Sequence, residues 1–204
     1  MSPPAQTPDG DPWLLTPGPL STSASVKRAM LHDLGSRDRS FVDLTQRVRA
    51  GLMQIANGSA AHACVPVQGS GTFVVEAMLG TLLPRTGRLL NLVNGAYGRR
   101  VSRICTLLGR QCEELAADEN QSVDAMQVDR ALRADPQLSH VHLVYCETTS
   151  GILNPLADIA AVVARHGRAL LVDAMSAFGA LPVDVNLPGV QAVVASANKC
   201  LESG

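Results

Sequence analysis

Val190-Gln-Ala-Val-Val-Ala-Ser-Ala-Asn198-Lys199, read together with Ala169-Leu-Leu-Val-Asp173, decides the fold. Residues 190–195 form a short apolar, β-branched run, the composition expected of a strand buried on both faces. The run delivers Lys199 just past its end, after small residues and an amide. Residues 170–172 make a second such run, which ends in Asp173. An acid and a lysine at the carboxyl ends of two neighbouring strands lie where open α/β sheets hold their ligands. The plainer alternative is a surface lysine after one strand and a loop-capping aspartate after the other.

Working backward from these two runs, strands and helices alternate. Strand patterns cover 63–67, 88–93, 112–116 and 141–146. Helical patterns cover 72–83, stopped by Pro84, 97–108, closed by Gly109, 123–134, and 156–166, closed by Gly167. Further upstream, 41–56 has apolar residues at Val42, Leu44, Val48, Leu52 and Ile55, close to helical spacing. Ser23 or Ser25 is placed to cap a helix running through Leu34 to Gly35. Residues 1–13 are rich in Pro, Asp and Gly and are expected to be a disordered or draped arm. The alternation predicts one α/β unit over 14–204, a mostly parallel sheet with helices on both faces.

Five of the strands run directly into polar or glycine clusters: Gln68-Gly-Ser-Gly-Thr72, Asn94-Gly-Ala-Tyr-Gly98, Glu147-Thr-Thr-Ser-Gly151, Asp173-Ala-Met-Ser176 and Ser196-Ala-Asn-Lys199. In a parallel sheet those ends share one edge, so the five loops converge on one crevice. Gly69-Ser70-Gly71-Thr72 lets backbone approach an anion at a helix N-terminus, with the Ser70 and Thr72 hydroxyls as added donors. A phosphate is the expected guest; a plain glycine turn with an N-cap is the alternative. The loop is neither a P-loop nor a complete dinucleotide fingerprint, which argues against a nicotinamide-dependent oxidoreductase. Tyr97 is placed to lay its ring on a flat cofactor, and Thr148 or Thr149 to donate to a phenolate oxygen. Lysine, carboxylate and phosphate loop together suit pyridoxal 5'-phosphate, which a lysine amine captures and a carboxylate pairs through the ring nitrogen.

Composition removes other classes. The 204 residues are 46% hydrophobic, with a formal net charge of -1, which gives no electrostatic footprint for nucleic acid. No run has the roughly 18 apolar residues of a membrane span, and the first residues lack the pattern of a signal peptide, so the cytoplasm is expected. Five cysteines without short paired spacing read as buried hydrophobes or free thiols. Cys200 has no histidine beside it to make it a nucleophile. His140 and His142 share one side of a strand, yet no third ligand has sensible spacing, so no metal is expected.

With these loops read, the chain resembles the class V group of fold-type I aminotransferases. The likeness rests on Leu14-Leu-Thr-Pro-Gly-Pro, Gln68-Gly-Ser-Gly-Thr-Phe-Val-Val-Glu-Ala, Asn94-Gly-Ala-Tyr-Gly, Cys146-Glu-Thr-Thr-Ser-Gly-Ile-Leu-Asn-Pro, Val172-Asp-Ala-Met-Ser-Ala-Phe-Gly-Ala and Ser196-Ala-Asn-Lys-Cys. These segments follow the family's order from Leu14 to Cys200. The resemblance implies a pyridoxal-phosphate enzyme in which Lys199 is the Schiff-base lysine and proton shuttle and Asp173 the partner of the ring nitrogen. It also implies that Met175 packs beside the ring, that Ser70, Gly71 and Thr72 hold the phosphate with the Asn198 amide, and that Gly18 borders the substrate pocket. Tyr97 matches a position where relatives place an aromatic over the ring, and Thr148 lies near the phenolic oxygen. Cys146-Glu-Thr-Thr and Ser196-Ala-Asn-Lys-Cys are similar to the branch that transfers the amino group of 2-aminoethylphosphonate to pyruvate. The alanine–glyoxylate and serine–glyoxylate branches, cysteine desulfurases and an inactive partner chain are the alternatives. The resemblance further implies a homodimer, and a chain that continues past the lysine. The sequence is therefore expected to be truncated after Lys199, without the smaller C-terminal domain or the arginine that grips a substrate carboxylate.

Overall fold

The computed structural model describes residues 7–202. Five strands, β1 (Arg88–Val93), β2 (Gln111–Ala116), β3 (Leu138–Val144), β4 (Ala169–Asp173) and β5 (Val190–Val194), form one parallel sheet in the order β2-β1-β3-β4-β5. The chain leaves β1 for β2 on one side and returns past β1 to β3 on the other. The switch point of the sheet, where such folds open a crevice, is therefore between β1 and β3.

Helices cover both faces, as the alternation predicts. Side chains of a strand point alternately to opposite faces. Leu90, Leu92, Val141, Leu143, Leu170 and Val172 accordingly pack with residues of α5 (Ala125–Ala134) and α6 (Leu156–Arg165). Leu89, Leu171 and Val194 turn the other way, against α3 (Gly71–Leu82) and α4 (Ala96–Leu107). Both cores join buried strand residues to buried helix residues, and the central strands are buried on both faces even where they carry Asn91 and His142. Asp173 follows Leu171 by two positions and so points to the α3/α4 face.

Three expectations change. Residues 63–67 form no strand, and Val65 is 72% exposed. Pro66 lacks a ladder donor, and the segment runs past the sheet toward the glycine loop. The first helix, α1 (Ala24–Ala29), stops before Leu34; Met30 and Leu31 beyond it are exposed, without a core to fix another turn. Ser23 occupies its N-cap position without a capping hydrogen bond. β5 is half-buried rather than enclosed, because among the described residues it pairs with β4 alone and only Val194 is buried. The helix expected over 41–56 does form, as α2 (Arg39–Ile55), with no buried residue on its apolar stripe; Val48 and Ile55 are each 48% exposed.

Of the expected arm, residues 1–6 lie outside the described residues. Beyond them, Thr7 O accepts the Gly10 N–H at 2.9 Å, and Lys27 of α1 pairs with Asp11 and, at 3.6 Å, with Asp9. That portion is draped against α1.

Candidate functional site

The carboxyl ends of the strands meet at one cavity. Ser70, Gly71, Thr72 and Tyr97 line its glycine-loop side; Thr148, Asp173, Met175, Asn198 and Lys199 line the rest. The nine residues singled out for cofactor binding are thus brought together from five separated stretches of sequence. Gly18 is not part of the wall, but it touches Lys199.

Ser70 is the N-cap of α3, and its Oγ accepts the Phe73 N–H at 3.3 Å. The cap and the anion-binding readings of the loop are compatible. Capping uses the Phe73 N–H, and the N–H groups of Gly71 and Thr72, in the first turn, have no partner within the helix. These donors face the cavity at the positive end of the helix dipole. Met175 closes in from across the cavity: a Cβ on Gly71 would lie 3.0 Å from its Sδ.

Asp173 ends β4 opposite Val194 of β5. It is 4% exposed, and burial pushes its carboxyl up to about 6, against the smaller opposing effect of the Met175 N–H. That N–H reaches Oδ1 at 3.0 Å and is the only hydrogen bond to this carboxylate among the described residues. A buried acid at a cavity wall with one protein donor is poorly compensated. A ligand carrying an N–H⁺ against it would relieve the penalty. The donor set therefore fits the ring nitrogen of pyridoxal phosphate.

Lys199 sits in the turn after β5. Its Nζ donates to Gly18 O at 2.9 Å, across 181 positions. Gly18 has φ +150, and a Cβ there would come within 2.3 Å of Lys199 Cδ and 2.9 Å of Asn198 O, so the close approach requires glycine. Asn198 Oδ1 is taken by the Ser196 hydroxyl at 2.6 Å, leaving its amide NH₂ as the group available to an anion. Cys200 Sγ reaches Ser176 O at 3.6 Å and is not part of the cavity wall.

Thr148 Oγ1 lies 2.9 Å from Ser176 Oγ at the cavity, whereas Thr149 turns away to Glu147 Oε1 at 3.1 Å. Glu147 is fully buried at the β1/β3 switch point. Its carboxylate accepts the Tyr97 N–H at 3.2 Å and the Gly98 N–H at 3.3 Å, capping α4 from a neighbouring strand. The Glu147 side chain occupies the space a side chain at Gly95 would need: such a Cβ would lie 2.1 Å from its Cγ and 2.3 Å from its carboxylate carbon. Asn94, before it, is buried and pinned to Asn154 at 3.0 Å. His142 lies beneath α4, fully buried, with Nδ1 3.0 Å from Asn91 Oδ1.

Three contributors were not singled out from sequence. Glu147 depends on β1 and β3 being neighbours, which no local pattern shows. Ser196 lines the cavity but was read only as part of a loop. Arg100 also lines it, and the i, i+3 spacing from Tyr97 was a usable signal. Among the described residues no cluster of three His, Cys, Asp or Glu is placed to hold a metal, and no helix is long and apolar enough to cross a membrane.

The sequence pattern of the family described as Aminotransferase class-V matches residues 20–202. The chain belongs to the class-V aminotransferases. Curated relatives include a 2-aminoethylphosphonate–pyruvate transaminase from Pseudomonas putida, 54% identical over 94% of this chain and 52% of its own length. Another, from Burkholderia lata, is 55% identical over 94% of this chain and 51% of its own. The chain thus spans about half the length of the curated relatives it matches. Among solved structures, pyridoxamine–pyruvate aminotransferase from Mesorhizobium loti superposes with a TM-score of 0.88 at 27% identity, covering 99% of this chain and 50% of that one. Alanine–glyoxylate aminotransferase from Nostoc sp. gives 0.88 at 23% identity, covering 100% of this chain and 53% of that one. The parallel sheet with its two helical layers is thus the fold of these aminotransferases.

Proposed function

We propose that this chain carries the cofactor-binding part of a pyridoxal-5'-phosphate-dependent aminotransferase that moves the amino group of 2-aminoethylphosphonate to pyruvate, giving phosphonoacetaldehyde and alanine. The observation that carries this reading is the convergence of Asp173 and Lys199, from adjacent parallel strands, on a cavity walled by the glycine loop. The donor and acceptor are supported by the names of the relatives at 54% and 55% identity.

Ser70, Gly71, Thr72 and Asn198 would hold the phosphate, and Tyr97 and Met175 would cover the ring. Bound there, pyridoxal phosphate supplies an electron sink for the substrate carbon that loses its proton. Asp173, with its carboxyl raised to about 6, is still largely ionised at pH 7, so it favours a protonated ring nitrogen beside it. Lys199 Nζ is the amine that would hold the cofactor aldehyde and, when free, would be the base that moves a proton at the substrate carbon. The Gly18 carbonyl sets the direction of that amine. Thr148 would turn its hydroxyl from Ser176 to donate to the phenolic oxygen.

A cytoplasmic homodimer belongs to the same reading. Exposed Trp13, Leu15 and Phe73, at 52%, 95% and 48%, are apolar groups for a second copy to cover.

The test is alanine formation from 2-aminoethylphosphonate and pyruvate with added pyridoxal phosphate, against an amino-donor panel. The expected result is alanine from a protein of the relatives' full length that contains this chain, and none from its Lys199→Ala variant. Preference for alanine or serine with glyoxylate would remove the phosphonate assignment.

A further inference from the structure

Arg100 has no part in the assignments above. It lies on the first turns of α4, exposed at the cavity and lining the same wall as Thr72, Tyr97 and Asp173. Two contacts hold it. Its Nη1 donates to Thr72 Oγ1 at 3.0 Å, and its Cζ stands 4.6 Å from the centroid of the Tyr97 ring. An exposed arginine left to itself samples many rotamers; a hydroxyl on α3 and an aromatic face on α4 fix this one against the glycine loop. Its sequence neighbour Arg99 pairs with Glu119, whereas among the described residues Arg100 pairs with no carboxylate. Its charge faces the cavity strongly enough to lower the Asp173 carboxyl slightly from across it.

The loop it leans on is short of positive charge. A phosphate monoester carries about -1.5 to -2, and a helix N-terminus offers the equivalent of about +0.5. Ser70, Thr72 and Asn198 are neutral donors. The Lys199 amine is engaged elsewhere once it captures an aldehyde. We propose that Arg100 is the residue that neutralises the cofactor phosphate, using the guanidinium N–H groups that Thr72 leaves free. This assignment rests on the pyridoxal-phosphate reading of the cavity. The planar fork suits it: one edge binds the hydroxyl that also faces the phosphate, and the other edge presents parallel donors to an anion.

The experiment compares pyridoxal phosphate with pyridoxal, which has the same ring and aldehyde but no phosphate. The chain, Arg100→Gln and Arg100→Lys are titrated with each, reading visible absorption and the pyridoxyl group that borohydride fixes on Lys199. Arg100→Gln is expected to weaken pyridoxal phosphate by about tenfold, the low end for a hydrogen bond to a charged group at an exposed position. It should leave pyridoxal unchanged. Arg100→Lys should recover part of the loss, keeping the charge without the fork. Added salt should weaken pyridoxal phosphate less in Arg100→Gln than in the parent chain. Equal losses for both ligands would mean that Arg100 only props up Tyr97, and no loss for either would mean it does not touch the phosphate; each overturns the assignment. So does normal cofactor affinity with a raised KM for the aminophosphonate, which would move Arg100 to the substrate. If the parent chain fixes neither ligand on Lys199, the pyridoxal-phosphate reading falls as well, a result distinct from failure of Arg100 alone.

Discussion

Glu147 Oε2 lies 3.3 Å from Gly98 N, so the loop that follows β3 caps the helix that follows β1. The same carboxylate holds the Tyr97 N–H and the Thr149 hydroxyl. Glu147→Gln keeps the shape but replaces one acceptor oxygen with an NH₂ facing donors. The expected loss is about 2 kcal/mol, or roughly 4–8 °C in Tm for a chain of this size. Thermal unfolding checks it, and an unchanged Tm would show that the cap contributes little.

Gly18 leaves no room for a side chain beside Lys199. Gly18→Ala places a methyl within 2.3 Å of Lys199 Cδ. Either the lysine or the 16–20 segment must move, at a cost of about 1–3 kcal/mol. The fixation of pyridoxyl on Lys199 by borohydride should fall at least as much as stability does. A variant that fixes it at the parent's rate would show that the Gly18 contact does not direct the amine.

Asp173 is kept at the expense of stability. Its carboxyl is raised from 3.8 to about 6 by burial. Between roughly pH 4 and 6 the native state therefore binds a proton that the unfolded chain has released. Stability from this group falls as pH rises through that window, by up to about 3 kcal/mol. Asp173→Asn removes the charge and keeps an acceptor for the Met175 N–H. It should raise Tm at pH 7, leave it nearly unchanged near pH 4, and abolish transamination. A lower Tm at pH 7 would show that the buried charge is already compensated.

His142 slopes the other way. Burial pushes its imidazole down from 6.5 to about 3. In the window between these values the unfolded chain binds a proton that the native state refuses, so stability is lost as pH falls. His142→Gln can still donate to Asn91 and cannot titrate. Its urea midpoint should change less than the parent's between pH 7 and pH 5, and a parallel pair of curves would refute this account.

Much of the fold was legible because its signals are local. β1 spans 88–93 as expected, and helices 97–108 and 156–166 sit within one residue of α4 and α6, each followed by a glycine. Residues 63–67 misled because their apolar content was real while a partner strand was not; Pro66 was the contrary signal. The half-buried state of β5 depends on which strands flank it, information outside the run 190–195. At the site, strand ends flagged the loops. Glu147 and Arg100 stayed hidden because one acts through a neighbouring strand and the other through a hydroxyl on α3. Sequence distance says nothing about the first, and only the i, i+3 spacing from Tyr97 marks the second.

The contact between Gly18 and Lys199 also sets an order of events during synthesis. The Pro-Gly-Pro turn leaves the ribosome early, while its partner amine is made 181 residues later. Translation at about 5–20 residues per second separates the two by roughly 9–36 s. The glycine loop and its helix are made within that interval, before the amine itself. A covalent hold on an aldehyde by this amine would therefore have to follow the synthesis of residue 199.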